Sequence, residues 1–148
     1  MLKPGEGPVL LFRPVADPVS RCGGAWIPYS ILSLAGAVSE AGFPVRLADG
    51  YHDGSPNGIL DAQDGRLALI GITAASAHQV REGLAFARLA RERFPGVPLV
   101  WGGPQAGEHP LADAVIRGPA KAPCWPCWAA LRPWGPRIRA RTASTSCR

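Results

Sequence analysis

The sequence predicts an α/β domain built on an open, doubly wound parallel sheet of about five strands. Three observations lead there. Short apolar runs alternate with amphipathic stretches from Val9 to Ile116, the order that crossover helices between parallel strands produce. The runs are apolar on consecutive positions, as strands covered on both faces are. Gly- and Pro-rich turns separate the segments, and a chain of 148 residues with 47% hydrophobic side chains can fill one core.

Val9-Leu10-Leu11-Phe12 is the first strand, stopped by Arg13-Pro14. A loop rich in Pro and Gly follows from Pro14 to Trp26. The first helix spans about 28–41, with Ile31, Leu32, Leu34, Ala35 and Val38 at helical spacing. Gly42 stands where a left-handed C-terminal cap is wanted. Residues 45–48 form the second strand, followed by turn-rich 49–57 and a short helical piece at 59–62. The run 67–72 is the third strand and a central one. Ser76 can cap a helix reaching about Phe94, on which Val80, Leu84 and Ala87 recur at i, i+4 and i+7. Residues 98–101 are the fourth strand, closed by Gly102-Gly103-Pro104, and a helix-free loop leads to the fifth at 114–116. In such a sheet the ligand lies beyond the carboxyl ends of the strands.

The formal charge of +5 divides unevenly. Residues 1–117 hold 10 Lys and Arg against 11 acids, whereas 118–148 hold six basic residues and no acid. That stretch also carries three of the four Cys and three of the five Trp. Two compositions meet at Gly118, which predicts an α/β domain over 1–118 and a separate tail over 119–148. No apolar run approaches the ~20 residues of a membrane span, and the start lacks the layout of a signal peptide. Cys22 is the sole Cys before the junction, which excludes a disulfide framework there. The body reads as cytoplasmic.

Several chemistries are excluded by spacing. No G-x-G-x-x-G follows the first strand, so a dinucleotide fingerprint is absent. Gly102 and Gly107 have P-loop spacing, but Glu108-His109 occupy the Lys and Ser/Thr positions, and an acid there repels phosphate. A phosphoacceptor receiver needs acids after the first strand and an Asp ending the third, where Ile72-Thr73 stand. What remains is a cluster of loops. Thr73-Ala74-Ala75-Ser76 offers small side chains, two hydroxyls and a helix start, and Gly102-Gly103-Pro104-Gln105 lets a ligand approach bare backbone.

Five segments resemble, in order, the N-terminal domain of cobalamin-binding radical SAM enzymes. Ile27-Pro28-Tyr29-Ser30-Ile31-Leu32-Ser33-Leu34-Ala35 looks like the family's first helix start, and Ala41-Gly42-Phe43-Pro44-Val45-Arg46-Leu47-Ala48-Asp49 its second strand. Leu69-Ile70-Gly71-Ile72-Thr73 is similar to its third. Phe94-Pro95-Gly96-Val97-Pro98-Leu99-Val100-Trp101-Gly102-Gly103-Pro104 resembles its fourth strand with the following glycines, and Val115-Ile116-Arg117-Gly118 its fifth. The resemblance implies a flavodoxin-like (Rossmann-like) domain holding cobalamin over the carboxyl edge of its sheet. The cofactor would meet the loops 14–25, 73–76 and 102–105, with Pro14, Thr73, Ala75, Ser76, Gly102, Gly103, Pro104 and Gln105 as its binding residues. In the full enzymes a barrel follows, carrying the Cys-x-x-x-Cys-x-x-Cys iron–sulfur site that cleaves S-adenosylmethionine. This chain has no such motif, so no iron–sulfur cluster and no catalysis of its own are expected.

Methionine-synthase-type domains place Asp-x-His-x-x-Gly after the first strand so that imidazole can bind cobalt. The nearest approach, Asp49-Gly50-Tyr51-His52-Asp53-Gly54, has other spacing and follows the second strand. No protein His ligand to cobalt and no other protein metal site is expected. His52 and His78 read as solvated residues, and His109 stands in the loop after the fourth strand.

Cys124-Trp125-Pro126-Cys127 lacks the second pair that zinc needs. Read from the third base of each codon, 118–129 can encode Gly-Glu-Gly followed by Leu-Leu-Ala-Leu-Leu, the family's continuation after Arg117-Gly118. The tail is therefore expected to be frameshifted and the domain truncated. Pro119, Pro123, Pro126, Pro133 and Pro136 oppose helix formation, predicting a disordered C-terminal tail. The expected partner is a corrinoid, with no nucleic acid and no membrane. The alternatives are a nucleotide- or sugar-binding α/β enzyme fragment on the same glycine edge, or a basic nucleic-acid-binding protein acting through the tail.

Overall fold

The computed structural model describes residues 6–16, 27–63 and 65–116. Five strands and three helices follow one another as β1 (Val9–Arg13), α1 (Tyr29–Glu40), β2 (Val45–Asp49), α2 (Pro56–Asp61), β3 (Leu69–Thr73), α3 (Ala77–Arg93), β4 (Leu99–Gly102) and β5 (Ala114–Ile116). The strands form one sheet in the order β2-β1-β3-β4-β5, and every pairing is parallel. This is the flavodoxin-like doubly wound sheet that the alternating pattern predicts. The expected tail at 119–148 and most of the loop from Pro14 to Trp26 lie outside the described residues.

Continuous apolar runs form the strands because both faces are covered. On one face Leu10, Phe12, Ile70, Ile72, Leu99 and Trp101 pack with Ile59 and Leu60 of α2 and Phe86, Ala87 and Ala90 of α3. The Phe12 and Phe86 rings stack at 3.9 Å between centroids. On the other face Val9, Leu11, Leu69 and Val100 share a cluster with Ile31 and Val38 of α1 and with Phe43. Successive residues of β1 thus feed opposite cores.

Local chemistry sets the helix ends. The amide of Gly42 donates to the Ser39 carbonyl at 2.9 Å and that of Phe43 to the Val38 carbonyl at 3.2 Å. With Gly42 at φ 87° this is a Schellman C-cap. The Ser55 hydroxyl accepts from the Gly58 amide and Pro56 occupies the first turn, so α2 starts before the expected Ile59. Ser76 caps α3 by accepting from the Gln79 amide.

The buried stripe of α3 differs from the expected one. Gln79, Gly83, Phe86, Ala87 and Ala90 face the sheet, while Val80 and Leu84 lie partly buried beside them. The cause is Trp101. A Cβ on Gly83 would stand 3.0 Å from its Cη2 and 3.1 Å from Ile72 Cγ2, so the helix packs closely over the indole where a side chain would force these neighbours to shift.

The connection 103–113 between β4 and β5 contains no helix. Arg91, near the end of α3, holds its far end. It donates to the carbonyls of Leu111 and Val97 and pairs with Asp113 at 2.5 Å. The Asp113 carboxylate also accepts from the Leu99 amide at 2.7 Å. The loop is thereby tied to helix α3 and to the start of β4.

Candidate functional site

The register places the ends of the strands side by side. Arg13 is level with Asp49, and Thr73 with Gly102. The start of the loop after β1 and the loops after β3 and β4 therefore leave the same carboxyl end of the sheet, and the eight residues expected to bind a ligand belong to these three segments.

The loops after β3 and β4 are stitched together by backbone. The Ala74 amide donates to the Gly102 carbonyl at 2.8 Å, and the Gln105 amide donates to the Ala74 carbonyl at 3.0 Å. This contact requires glycine at 103. Its φ is +112°, and a Cβ there would lie 2.5 Å from the Ala74 carbonyl oxygen. Gly102 is different, because a Cβ would meet nothing closer than the Ile116 carbonyl at 4.0 Å. Ala75, Pro104 and Gln105 are exposed, and Thr73, Ser76, Gly102 and Gly103 are partly so. The edge formed by these seven residues is small, uncharged and open.

Pro14 stands apart from that surface. Its side chain is fully buried, and its carbonyl accepts from Gln79 Nε2 at 2.9 Å. Gln79 Oε1 in turn accepts from the Ala75 amide at 2.8 Å. The Ser76 hydroxyl donates to the Ala16 carbonyl at 3.2 Å. The first turn of α3 thus holds the start of the loop after β1 against the loop after β3.

A second set of ties comes from β2. Arg13 and Asp49 form a buried ion pair, and the Arg13 guanidinium lies 5.0 Å from the centre of the Tyr51 ring. The Tyr51 hydroxyl accepts from the Ala16 amide at 2.8 Å. Asp49 also accepts from the Tyr51 amide, and Asp53 from the Asp49 amide. Sequence reasoning takes Arg13 as the stop of a strand and misses this cluster. The signal available is an Arg inside a parallel sheet opposite an acid one strand away.

His52 is exposed in the turn after β2. His78 Nδ1 lies 3.0 Å from Arg81 Nη2, which can only donate, and His109 Nδ1 accepts from the Leu111 amide at 3.2 Å. In their neutral forms both rings therefore carry the proton on Nε2. The His109 ring stacks on Trp101, with centroids 6.3 Å apart. Among the described residues no three His, Cys, Asp or Glu side chains are grouped to hold a metal ion. Among them, too, no helix is long and apolar enough to cross a membrane.

The fold and the edge define a flavodoxin-like, CheY-like α/β domain. The chain is similar to a solved response regulator receiver domain protein (CheY-like) from Methanospirillum hungatei JF-1, with 14% identity and a TM-score of 0.53. The likeness covers 83% of this chain and 90% of that one, and at this identity it concerns the fold alone. No protein-family profile matches the chain, and no curated protein matches it. Thr73 ends β3, where receiver chemistry requires a carboxylate.

Proposed function

We propose that the chain holds the cobalamin-binding domain of a radical SAM enzyme, and that these residues, which contain no Cys-x-x-x-Cys-x-x-Cys motif, do not run that reaction by themselves. One observation carries the reading: the loops after β3 and β4 are joined at Ala74, Gly103 and Gln105 into a single uncharged shelf. A corrin is broad, flat and edged with amides, and such a ligand needs a wide surface of small residues more than a deep charged pocket. Gly102, Gly103 and Ala75 leave room for it, and Thr73, Ser76 and Gln105 offer polar atoms at its margin. The ordered sequence resemblance from Val9 to Gly118 supports the same reading. When bound, cobalamin would supply cobalt-centred chemistry; this chain's residues would hold and shield it.

Titration with hydroxocobalamin, followed by corrin absorbance, tests the proposal. Binding at tens of micromolar or tighter is expected. The Gly102→Val variant should lose it without unfolding, since space for the side chain exists at the backbone. Absence of any spectral change in the wild type at those concentrations overturns the reading. It would leave the nucleotide- or sugar-binding alternative on the same edge.

A further inference from the structure

Two ring N–H groups near the end of β4 stand unmatched. Trp101 is 1% exposed, and its Nε1 is the buried side-chain polar atom without a hydrogen-bond partner among the described residues. A buried donor in that state is destabilising relative to a satisfied one, so it calls for an acceptor. The half-buried His109 ring stacks over the same indole and is fixed at Nδ1 by the Leu111 amide. Its Nε2–H has no partner among the described residues. The two rings are carried by one strand end and by the loop that follows it.

We propose that Trp101 Nε1–H and His109 Nε2–H form a binding site for a neutral carbonyl oxygen, of the primary-amide class. Local charge selects against an anion. Glu108 adjoins His109 and is exposed, and Arg91, the cation that packs on this loop, is committed to Leu111, Val97 and Asp113. Two N–H donors with no uncommitted cation among their neighbours suit an amide better than a phosphate or a carboxylate. His109 is carried by the connection 103–113, which contains no helix. The inference rests on the corrinoid reading in that the periphery of a corrin carries several primary amides.

The experiment follows the indole N–H resonance of Trp101 in proton–nitrogen spectra, assigned by its loss in Trp101→Phe. Hydroxocobalamin, cobinamide (which keeps the amides and lacks the nucleotide tail), acetamide and inorganic phosphate are titrated in turn. Both corrinoids should move the resonance equally, and phosphate should leave it in place. His109→Asn keeps an acceptor for the Leu111 amide but removes the Nε2 donor, and should weaken corrinoid binding about tenfold. His109→Gln restores a donor and should recover most of it. If neither corrinoid binds but acetamide moves the resonance in the wild type and not in His109→Asn, the amide site stands and the corrinoid reading falls. Corrinoid binding with an unmoved resonance, movement by phosphate alone, or no movement with any probe overturns the inference.

Discussion

Arg13 and Asp49, level with each other across the β1–β2 pairing, join through two contacts, Nε to Oδ1 at 3.1 Å and Nη2 to Oδ2 at 2.5 Å. Both side chains are about nine-tenths buried. Removing one member leaves the other charged and dry, whereas removing both removes the problem. Asp49→Asn should lower stability by about 2–4 kcal/mol. Arg13→Met with Asp49→Leu should recover part of that loss, the remainder reflecting the Tyr51 amide that loses Asp49 as its acceptor. Urea denaturation of the wild type and both variants, with unchanged slopes, checks the pair; an Asp49→Asn loss below about 1 kcal/mol refutes it.

Two glycines should respond in opposite directions to alanine. At Gly103 the backbone is left-handed and the new Cβ would strike the Ala74 carbonyl, so Gly103→Ala should cost about 2–4 kcal/mol. Gly36 lies inside α1, and a methyl group added there would meet nothing within 4 Å. Gly36→Ala should therefore stabilise by about 0.5–1 kcal/mol through helix propensity. Thermal melts of both proteins decide the matter.

Gln79 and Ser76 tie the loop after β1 to helix α3. Gln79→Met keeps the volume but strands the Ala75 amide and the Pro14 carbonyl, at a cost of about 2–3 kcal/mol. Ser76→Ala removes the cap and should cost about 1 kcal/mol. Hydrogen exchange at the Ala75 amide gives the specific readout. It should quicken strongly in Gln79→Met, where the acceptor is gone, and only as far as global stability falls in Ser76→Ala.

The order of the elements is legible because a buried parallel strand writes itself as a run such as Val9-Leu10-Leu11-Phe12, and because Gly42 and Ser76 mark helix ends by their own chemistry. That the loops after β1, β3 and β4 leave the same end of the sheet follows from that order. The ties between them do not. Gln79 and the Pro14 carbonyl are 65 residues apart, and Arg13 and Asp49 are 36 apart. The buried stripe of α3 is displaced for a similar reason. Periodicity favours Val80 and Leu84, but the close packing of α3 over Trp101 on a neighbouring strand brings Gly83 against the indole.

The Arg91 clamp carries a consequence for assembly. Strand β5 has three residues, pairs among the described residues with β4 alone and is reached through a loop whose closure has an entropic cost. What offsets that cost is a guanidinium in the last turn of α3 and an Asp113 carboxylate that needs the Leu99 amide already in place. The docking of β5 therefore presupposes contacts with both α3 and β4, which ties its formation to theirs.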